Sequence, residues 1–392
     1  MTVTSLPTKR HPDRPFDPPA EFAEIRERDP LVRFIYPDGH HGWLATGHAE
    51  VRAILSDRRF SSRFELLHLP FPGGPAEVPP APLGDLTGID PPEHTRLRRP
   101  LVGWFTVRRM RLLGDRIARI AADHLAAMQR AGTRADLVPA YAEPIPALTI
   151  CELLGVPYAD RDSFRSDVRV IMSTTATMEE QGAAMVALHE YLLGLVQAKR
   201  AHPTDDILGA LTATDLSNDE LAGVGAILLA AGLDTTANMI AMGTFALLVN
   251  PDQLAALRAD PDLIDSAIEE LLRYLSVADI GLRSALEDVE VAGRLIRAGE
   301  SVTYSMATAN RDPRRFEDPD RLDLHRNAGG HVALGHGLHQ CLGQQLARVE
   351  MRAAFPTLLS GLPELRLDVA SSDVPLRTDT NIYGVHSLPV AW

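Results

Sequence analysis

The stretch from Ser217 to Asn250 constrains this chain more than any other, because it reads as one helix with almost no polar face. Ser217-Asn218-Asp219-Glu220 has the Ser-x-x-Glu form of a capping box, and the next proline is Pro251. About 33 helical residues rising 1.5 Å each give a rod about 50 Å long. A helix apolar on every side must be buried along its length, so the rest of the chain has to wrap around it. That demands a large, mainly α core, and 392 residues with 45% hydrophobic and 23% charged content supply one. At about 150 residues per domain the length suggests two or three units, while a single large domain also fits. A membrane span is the competing reading, weakened by Asp234 and Asn238 at the middle of the run and by its many Gly and Ala residues.

The carboxylate of Asp234 has a cost of its own. Burying an acid inside such a helix costs several kcal/mol unless it is paired or hydrated. Ala231-Gly232-Leu233-Asp234-Thr235-Thr236 therefore marks a functional site or, more conservatively, a solvated kink in which Thr235 or Thr236 bonds back to a carbonyl one turn earlier.

Charge excludes several classes. With 39 basic and 52 acidic residues the net charge is -13, and polyanions such as nucleic acid or anionic lipid are repelled. Cys151 and Cys341 are the only cysteines, so no disulfide framework arises and a reducing, cytoplasmic setting fits. Residues 1–20 are rich in proline, lack the apolar core of a secretory signal and read as a loose arm. Lys9 and Lys199 are the only lysines, a bias that points to a GC-rich bacterial genome.

Along the chain, strand-like runs at 33–36 and 42–46 flank Pro37-Asp38-Gly39 and predict a hairpin, followed by a helix over 48–55. Prolines and glycines crowd 60–90, so that stretch is a long loop of the kind that borders binding sites. Helical periodicity then covers 91–110, 112–131, 139–154, 160–172, 179–200 and 217–249, with a last helix at 342–359. Short alternating pieces at 289–292, 295–297 and 301–304 predict a second small sheet.

Three clusters carry chemistry. In Gly335-His336-Gly337-Leu338-His339-Gln340-Cys341-Leu342-Gly343 a lone cysteine precedes a helix, whose unpaired N–H groups and dipole favour a metal-binding thiolate. His331, His336, His339 and Cys341 are also zinc-ligand types, but their spacing matches neither Cys-x-x-Cys nor His-Glu-x-x-His, and the interspersed glycines favour close approach to a flat object. Glu270 and Arg273 fall on one helix face, a pattern usually worth only about 0–1 kcal/mol at a surface. His94 and Arg98 share a helix face behind Asp90-Pro91-Pro92, which offers a cap and a first-turn proline.

The cysteine stretch resembles the cysteine loop of the cytochrome P-450 monooxygenases, soluble bacterial type. The helix-centre motif, Glu270-x-x-Arg273 and His94-x-x-x-Arg98 resemble the same family, in the family's order, so the likeness runs from about residue 30 to 392. It implies a mainly α fold with a small β region: one domain over 21–392 after the arm at 1–20, with haem b between the long helix and the helix that follows Cys341. It implies Cys341 as axial ligand of the iron, Asp234 and Thr235 as the pair that delivers protons to dioxygen, and Gly232 as the source of space for dioxygen. His94, Arg98, Arg283 and His339 become partners of the haem propionates. Glu270 and Arg273 become a structural lock onto the long connection through Arg321 or Arg326. The chain departs from the family at Leu334, where phenylalanine is usual, and at Pro100 inside the helix of Arg98.

The function so implied is insertion of one oxygen atom of O2 into a bulky, apolar natural product. The chain has neither a Gly-x-Gly-x-x-Gly unit nor four cysteines for an iron–sulfur cluster, so electrons come from a separate ferredoxin and ferredoxin reductase, docked near Arg96, Arg99, Arg108, Arg109 and Arg111. The substrate walls fall to 60–90, 165–190, Val277 to Leu282 and Asn381 to Val385. A peroxide-driven or rearranging haem-thiolate enzyme is the near alternative, and a non-catalytic haem sensor or carrier the distant one.

Overall fold

Helical periodicity is realised over most of the chain. The computed structural model describes residues 2–11, 13–75, 77–173 and 175–392; Met1 and Pro12 of the arm, Ala76 of the proline-rich loop and Thr174 of the stretch 165–190 lie outside the described residues. The helices are α1 (Ala20–Arg28), α2 (His48–Ser56), α3 (Glu93–Val102), α4 (Val107–Ala131), α5 (Pro144–Leu154), α6 (Arg161–Met172), α7 (Met178–Ala201), α8 (Ile207–Leu211), α9 (Asn218–Val249), α10 (Pro251–Ala259), α11 (Ile264–Leu275), α12 (Met306–Ala309) and α13 (Gln344–Gly361). Two compact units emerge, one of Met1–Ala81, Thr87–His94 and Glu269–Cys341, the other of Pro82–Leu86, Thr95–Ile268 and Leu342–Trp392.

The first unit is built on a six-stranded sheet, in the order Thr2–Val3, Leu31–Ile35, His41–Ala45, Ser301–Ser305, Ile280–Ala285, Phe60–Ser61. The predicted hairpin is present, with Leu31 opposite Ala45 and Ile35 opposite His41. Alternate residues go to opposite faces: Leu31, Trp43, Val302 and Tyr304 pack into one core, Val32, Phe34, Tyr36 and Leu44 into another. The strand Ser301–Ser305 runs parallel to His41–Ala45 and joins this first sheet, which corrects its expected place in a second one. Of the three expected pieces, Val289–Val291 and Arg294–Ile296 form a hairpin apart from that sheet. The reason is burial: all five residues of Ser301–Ser305 are buried, as a strand at the middle of a sheet covered on both faces requires.

The arm is also not loose. Thr2–Val3 adds a parallel strand beside Leu31–Ile35, Leu6 and Phe16 are buried, and Asp17 lies 3.2 Å from the buried guanidinium of Arg311. Two apolar anchors and a charge partner offset the entropy of ordering a proline-rich segment.

The second unit is organised by α9. Its capping box is formed, with the Ser217 hydroxyl accepting the Glu220 N–H at 3.1 Å and the Glu220 carboxylate accepting the Ser217 N–H at 2.8 Å. Helices α5, α7 and α13 pack against it, and α13 also packs on α4. By length and composition α9 could cross a membrane, but 67% of its most apolar window is buried inside the protein.

Two expected helices are interrupted. The run expected over 91–110 ends at Val102, two residues after Pro100, turns through a 3-10 segment at Gly103–Phe105 and restarts where the Thr106 hydroxyl accepts the Arg109 N–H. The segment Val138–Ala142 is a π-turn, so α5 starts at Pro144. Near the C-terminus Leu376–Arg377 pairs with Gly384–Val385, and Gly384 lies so close to Asn238 of α9 that any side chain there would overlap it.

Candidate functional site

In the first unit the cysteine loop is shaped by two glycines with left-handed backbone, Gly335 (φ 69°) and Gly337 (φ 71°). A Cβ on Gly337 would strike the Leu55 carbonyl at the end of α2, so this glycine seats the loop on that helix. The Cys341 N–H donates to the carbonyl of Leu334 at 2.9 Å and the Gln340 N–H to that of Gly337 at 3.1 Å, leaving Cys341 partly exposed. The helix that follows, α13, begins at Gln344, two residues later than expected.

His94 is fully buried, and its ring lies 4.2 Å from that of His339, so the structure brings these two expected residues together. Arg283 stands half-buried on Ile280–Ala285, its guanidinium donating to the Leu282 carbonyl at 2.7 Å. Arg98 sits one turn after His94 on α3, half-buried, within the second unit. The expected cap by Asp90 needs correction. Its carboxylate accepts the Ser61 hydroxyl (2.5 Å) and the Ser62 N–H (2.9 Å), and only its backbone carbonyl receives the His94 N–H (3.0 Å). Among the described residues no His, Cys, Asp and Glu group is assembled for a metal ion, and His331 instead meets Glu269 at 3.2 Å.

The Glu270–Arg273 pair is wholly enclosed. Arg273 grips both carboxylate oxygens at 2.7 and 2.8 Å and donates to the carbonyls of Asn310 (2.8 Å) and Pro319 (2.9 Å). Glu270 also accepts the Arg326 Nε at 3.2 Å and the Asp323 N–H at 3.0 Å. Of the two arginines expected to complete this lock, Arg326 does so with its side chain and Arg321 only with its carbonyl, at 3.4 Å from Arg273.

In the second unit, α9 is buried over most of its length; near its middle Ala231 is exposed and Ala226, Ile227, Gly232, Asp234 and Thr235 are half-buried. The Thr235 hydroxyl donates to the Ala231 carbonyl at 2.8 Å, the back-bond anticipated for a kink. Asp234 takes a two-pronged grip from Arg377, at 2.6 and 3.1 Å, and the Asn238 amide donates to it at 3.2 Å. At the half-buried Gly232 a Cβ would sit 3.1 Å from Ile150 of α5, so the missing side chain lets these two helices approach on that side. The open position on this turn is Ala231.

Residues 169–389 match the family described as cytochrome P450. Cytochrome P450 105C1 of a Streptomyces species is 48% identical over 380 residues, covering 96% of each chain. This chain belongs to the cytochrome P450 family. Pentalenic acid synthase of Streptomyces avermitilis is 45% identical, covering 100% of this chain and 99% of its own. The crystal structure of CYP105P1 in complex with filipin I superposes with a TM-score of 0.93 at 40% identity, covering 100% and 99%. The chain is thus a P450 monooxygenase, an oxidoreductase of a haem-binding family, with the mainly α fold and small sheets the sequence implied. The residues of this P450 fit that group. In the first unit the partly exposed Cys341 is a soft ligand type, and His94, His339 and Arg283 are nitrogen donors of the kind that suit carboxylates.

Three residues that touch this machinery escaped the sequence. Asn238 was accessible to spacing, one turn after Asp234. Arg377 was not, because 143 positions separate it from its partner. Glu350 falls on the buried stripe of α13 with Leu346, Ala354 and Leu358, so its spacing was a signal. Burial pushes its carboxyl up to about 8 from 4.5, with a hydrogen bond to Thr236 of α9 pulling the other way. A carboxyl raised in the folded state binds its proton more tightly there, so it penalises folding progressively as pH climbs from about 4.5 to about 8. The Glu350→Gln P450 is expected to lose less stability between pH 6 and pH 9 than the parent, as read from urea unfolding. Equal losses would remove Glu350 from the account.

Proposed function

We propose that this P450 inserts one atom of dioxygen into an unactivated bond of a bulky, apolar natural product, by hydroxylation or epoxidation. The observation that carries the reading is the half-buried Thr235, one turn from the exposed Ala231 of α9, with the acid Asp234 beside it. Cys341 would hold the haem iron, with His94, Arg98, Arg283 and His339 at the propionates. When bound, haem supplies oxygen activation, and a thiolate ligand favours O–O cleavage. The chain's own residues do the rest.

Asp234 holds a proton at a carboxylate oxygen. The Thr235 Oγ, relinquishing the Ala231 carbonyl, accepts that proton and hands its own forward, so the alcohol is regenerated. Ser173, within the wall at 165–190, forms a β-bridge with Thr380, next to the wall at Asn381 to Val385, so the two walls are joined there. A secondary-metabolic substrate is supported by relatives such as pentalenic acid synthase and by the CYP105P1 complex with filipin I. Action in the cytoplasm accords with two free cysteines.

Electrons are assigned to a ferredoxin and its reductase. Arg99, Arg108, Arg109 and Arg111 are exposed around Val102, Val107 and Leu112, a basic rim with an apolar centre that suits an acidic partner. Arg96 leaves this group, since it is paired with Glu220 at the start of α9. Reversing Arg108 and Arg111 to Glu is expected to slow reduction by ferredoxin about ten-fold at low salt, with reduction by dithionite unchanged. Equal ferredoxin rates in the parent and the variant would contradict the docking assignment.

A further inference from the structure

We propose that Asp38, His40 and His68 form a clasp that fastens the segment Phe64–Leu69 to the turn of the hairpin, and that protonation of His40 releases it. This segment opens the substrate wall expected at 60–90. The effect on ligand entry rests on that reading, whereas the clasp itself does not. Every residue involved lies in the first unit.

The neck of the wall is closed by groups other than histidine. The Asp90 carboxylate holds the Ser61 hydroxyl and the Ser62 N–H, and the Phe64 N–H donates to the Gly88 carbonyl at 3.4 Å. A Cβ on Gly88 would overlap the Phe64 ring. Beyond the neck the chain reaches His68. Its ring stacks on that of His40, with centroids 3.5 Å apart and planes 3° from parallel. Its Nδ1 donates to Asp38 at 2.6 Å and its backbone N–H donates to the Ser301 hydroxyl at 3.3 Å. Asp38 also accepts the His40 N–H at 2.9 Å, so one carboxylate serves both histidines. The Tyr36 ring closes one side, 5.6 Å from His40 and 6.0 Å from His68.

The Ser301 N–H fixes the charge of His40. It donates to Nε2 of that ring at 3.2 Å, and a ring nitrogen that accepts carries no proton, so the clasped His40 is neutral. His68 differs, because its charged form still pairs with Asp38. The clasp thus offers one carboxylate to two rings. It tolerates a proton on His68, but a second proton, on His40, meets a backbone N–H pointing at it and a like charge stacked 3.5 Å away. Glu300, the other acid facing His40, is already held by Arg33 at 2.5 Å and Trp43 at 2.7 Å.

The direction with pH follows from burial and charge. Burial, then His68, holds His40 below its ordinary 6.5; His41 adds to this, while Asp38 and Glu300 oppose it. Burial raises the Asp38 carboxyl, but the His68 ring and the His40 N–H outweigh it and keep Asp38 below the usual carboxylate range, so it stays charged. A released His40 binds its proton at higher pH than the clasped one, so release takes up a proton. The clasp is complete above about pH 6.5 and loosens as the pH falls below that value. Once it opens, Phe64–Leu69 parts from the hairpin turn and the rim between them widens for an apolar ligand.

The test uses the haem-loaded protein at pH 7.5 and pH 5.5. Backbone hydrogen exchange, corrected for the intrinsic effect of pH, is read at the amides of His68 and Ser301. Entry is read as the rate at which n-butyl isocyanide, a neutral apolar ligand, binds the reduced haem. In the parent both amides are expected to exchange about five-fold faster at pH 5.5, with isocyanide binding accelerated as well. His40→Gln keeps an acceptor for the Ser301 N–H but cannot titrate, and should hold exchange and binding at their pH 7.5 rates. His68→Ala should leave the Ser301 amide fast at both pH values, and Asp38→Asn, which removes the shared carboxylate, should raise the pH of release. Parent amides that exchange equally at both pH values, or a His40→Gln protein that keeps the parent's acceleration, would overturn the clasp. If the amides respond as expected and isocyanide binding does not, the clasp stands and the reading of 60–90 as a substrate wall fails. Should His68→Ala not fold, the parent and His40→Gln decide by the same two criteria.

Discussion

Arg273→Ala is expected to cost this P450 about 3 to 5 kcal/mol of folding stability, because the change removes the two-pronged partner of a carboxylate, Glu270, with no access to water and leaves it only Arg326 and the Asp323 N–H. Both side chains are 0% exposed, and the guanidinium also satisfies carbonyls of the long connection at Asn310 and Pro319. That connection leads into the cysteine loop, so the haem content of the purified variant should fall with its stability. Denaturant unfolding of the parent, Arg273→Ala and Arg273→Lys measures the effect. The lysine keeps the charge but not the fork, and should recover part of the loss. A change below about 1 kcal/mol, the size of an exposed pair, would mean that the enclosure contributes nothing.

Thr235→Ala is expected to separate oxygen consumption from oxygen insertion. Product formation should fall about 100-fold, the lower end of what a placed proton donor contributes, while oxygen uptake continues and ends as hydrogen peroxide. The variant leaves the fold intact, since the hydroxyl bonds only the Ala231 carbonyl, which its helix already engages. Product supported by added peroxide should persist, because that route does not draw on the relay. Product and oxygen falling in parallel would place Thr235 in substrate binding and leave the proton role without support.

How far the sequence spoke for itself depended on distance along the chain. The long helix, its capping box and its apolar surround were legible because capping and periodicity are local, and they correctly predicted a mainly α core around α9. The Glu270–Arg273 pair was legible as a pattern only; its complete burial, which converts a surface motif into a lock, came from Asn310, Pro319 and Arg326, far away in sequence. The strand Ser301–Ser305 was legible as a strand, but its parallel pairing with His41–Ala45 is a long-range choice that alternation alone does not encode. The arm misled because proline content signals disorder, whereas Leu6 and Phe16 found hydrophobic seats. The contact of Gly232 with Ile150 of α5 was not legible, because spacing along α9 does not say which helix packs against it. Arg377 lay beyond reach because it meets Asp234 only after the C-terminal hairpin folds onto α9.

The most direct test of the account is the absorption spectrum of the reduced, carbon-monoxide-bound protein, recorded for the parent and for Cys341→His. With Cys341 as the thiolate ligand, the parent shows the red-shifted Soret band of thiolate-ligated haem and the variant loses it. A colourless parent, or a variant that keeps that band, would contradict the assignment of Cys341 and with it the monooxygenase chemistry built on it.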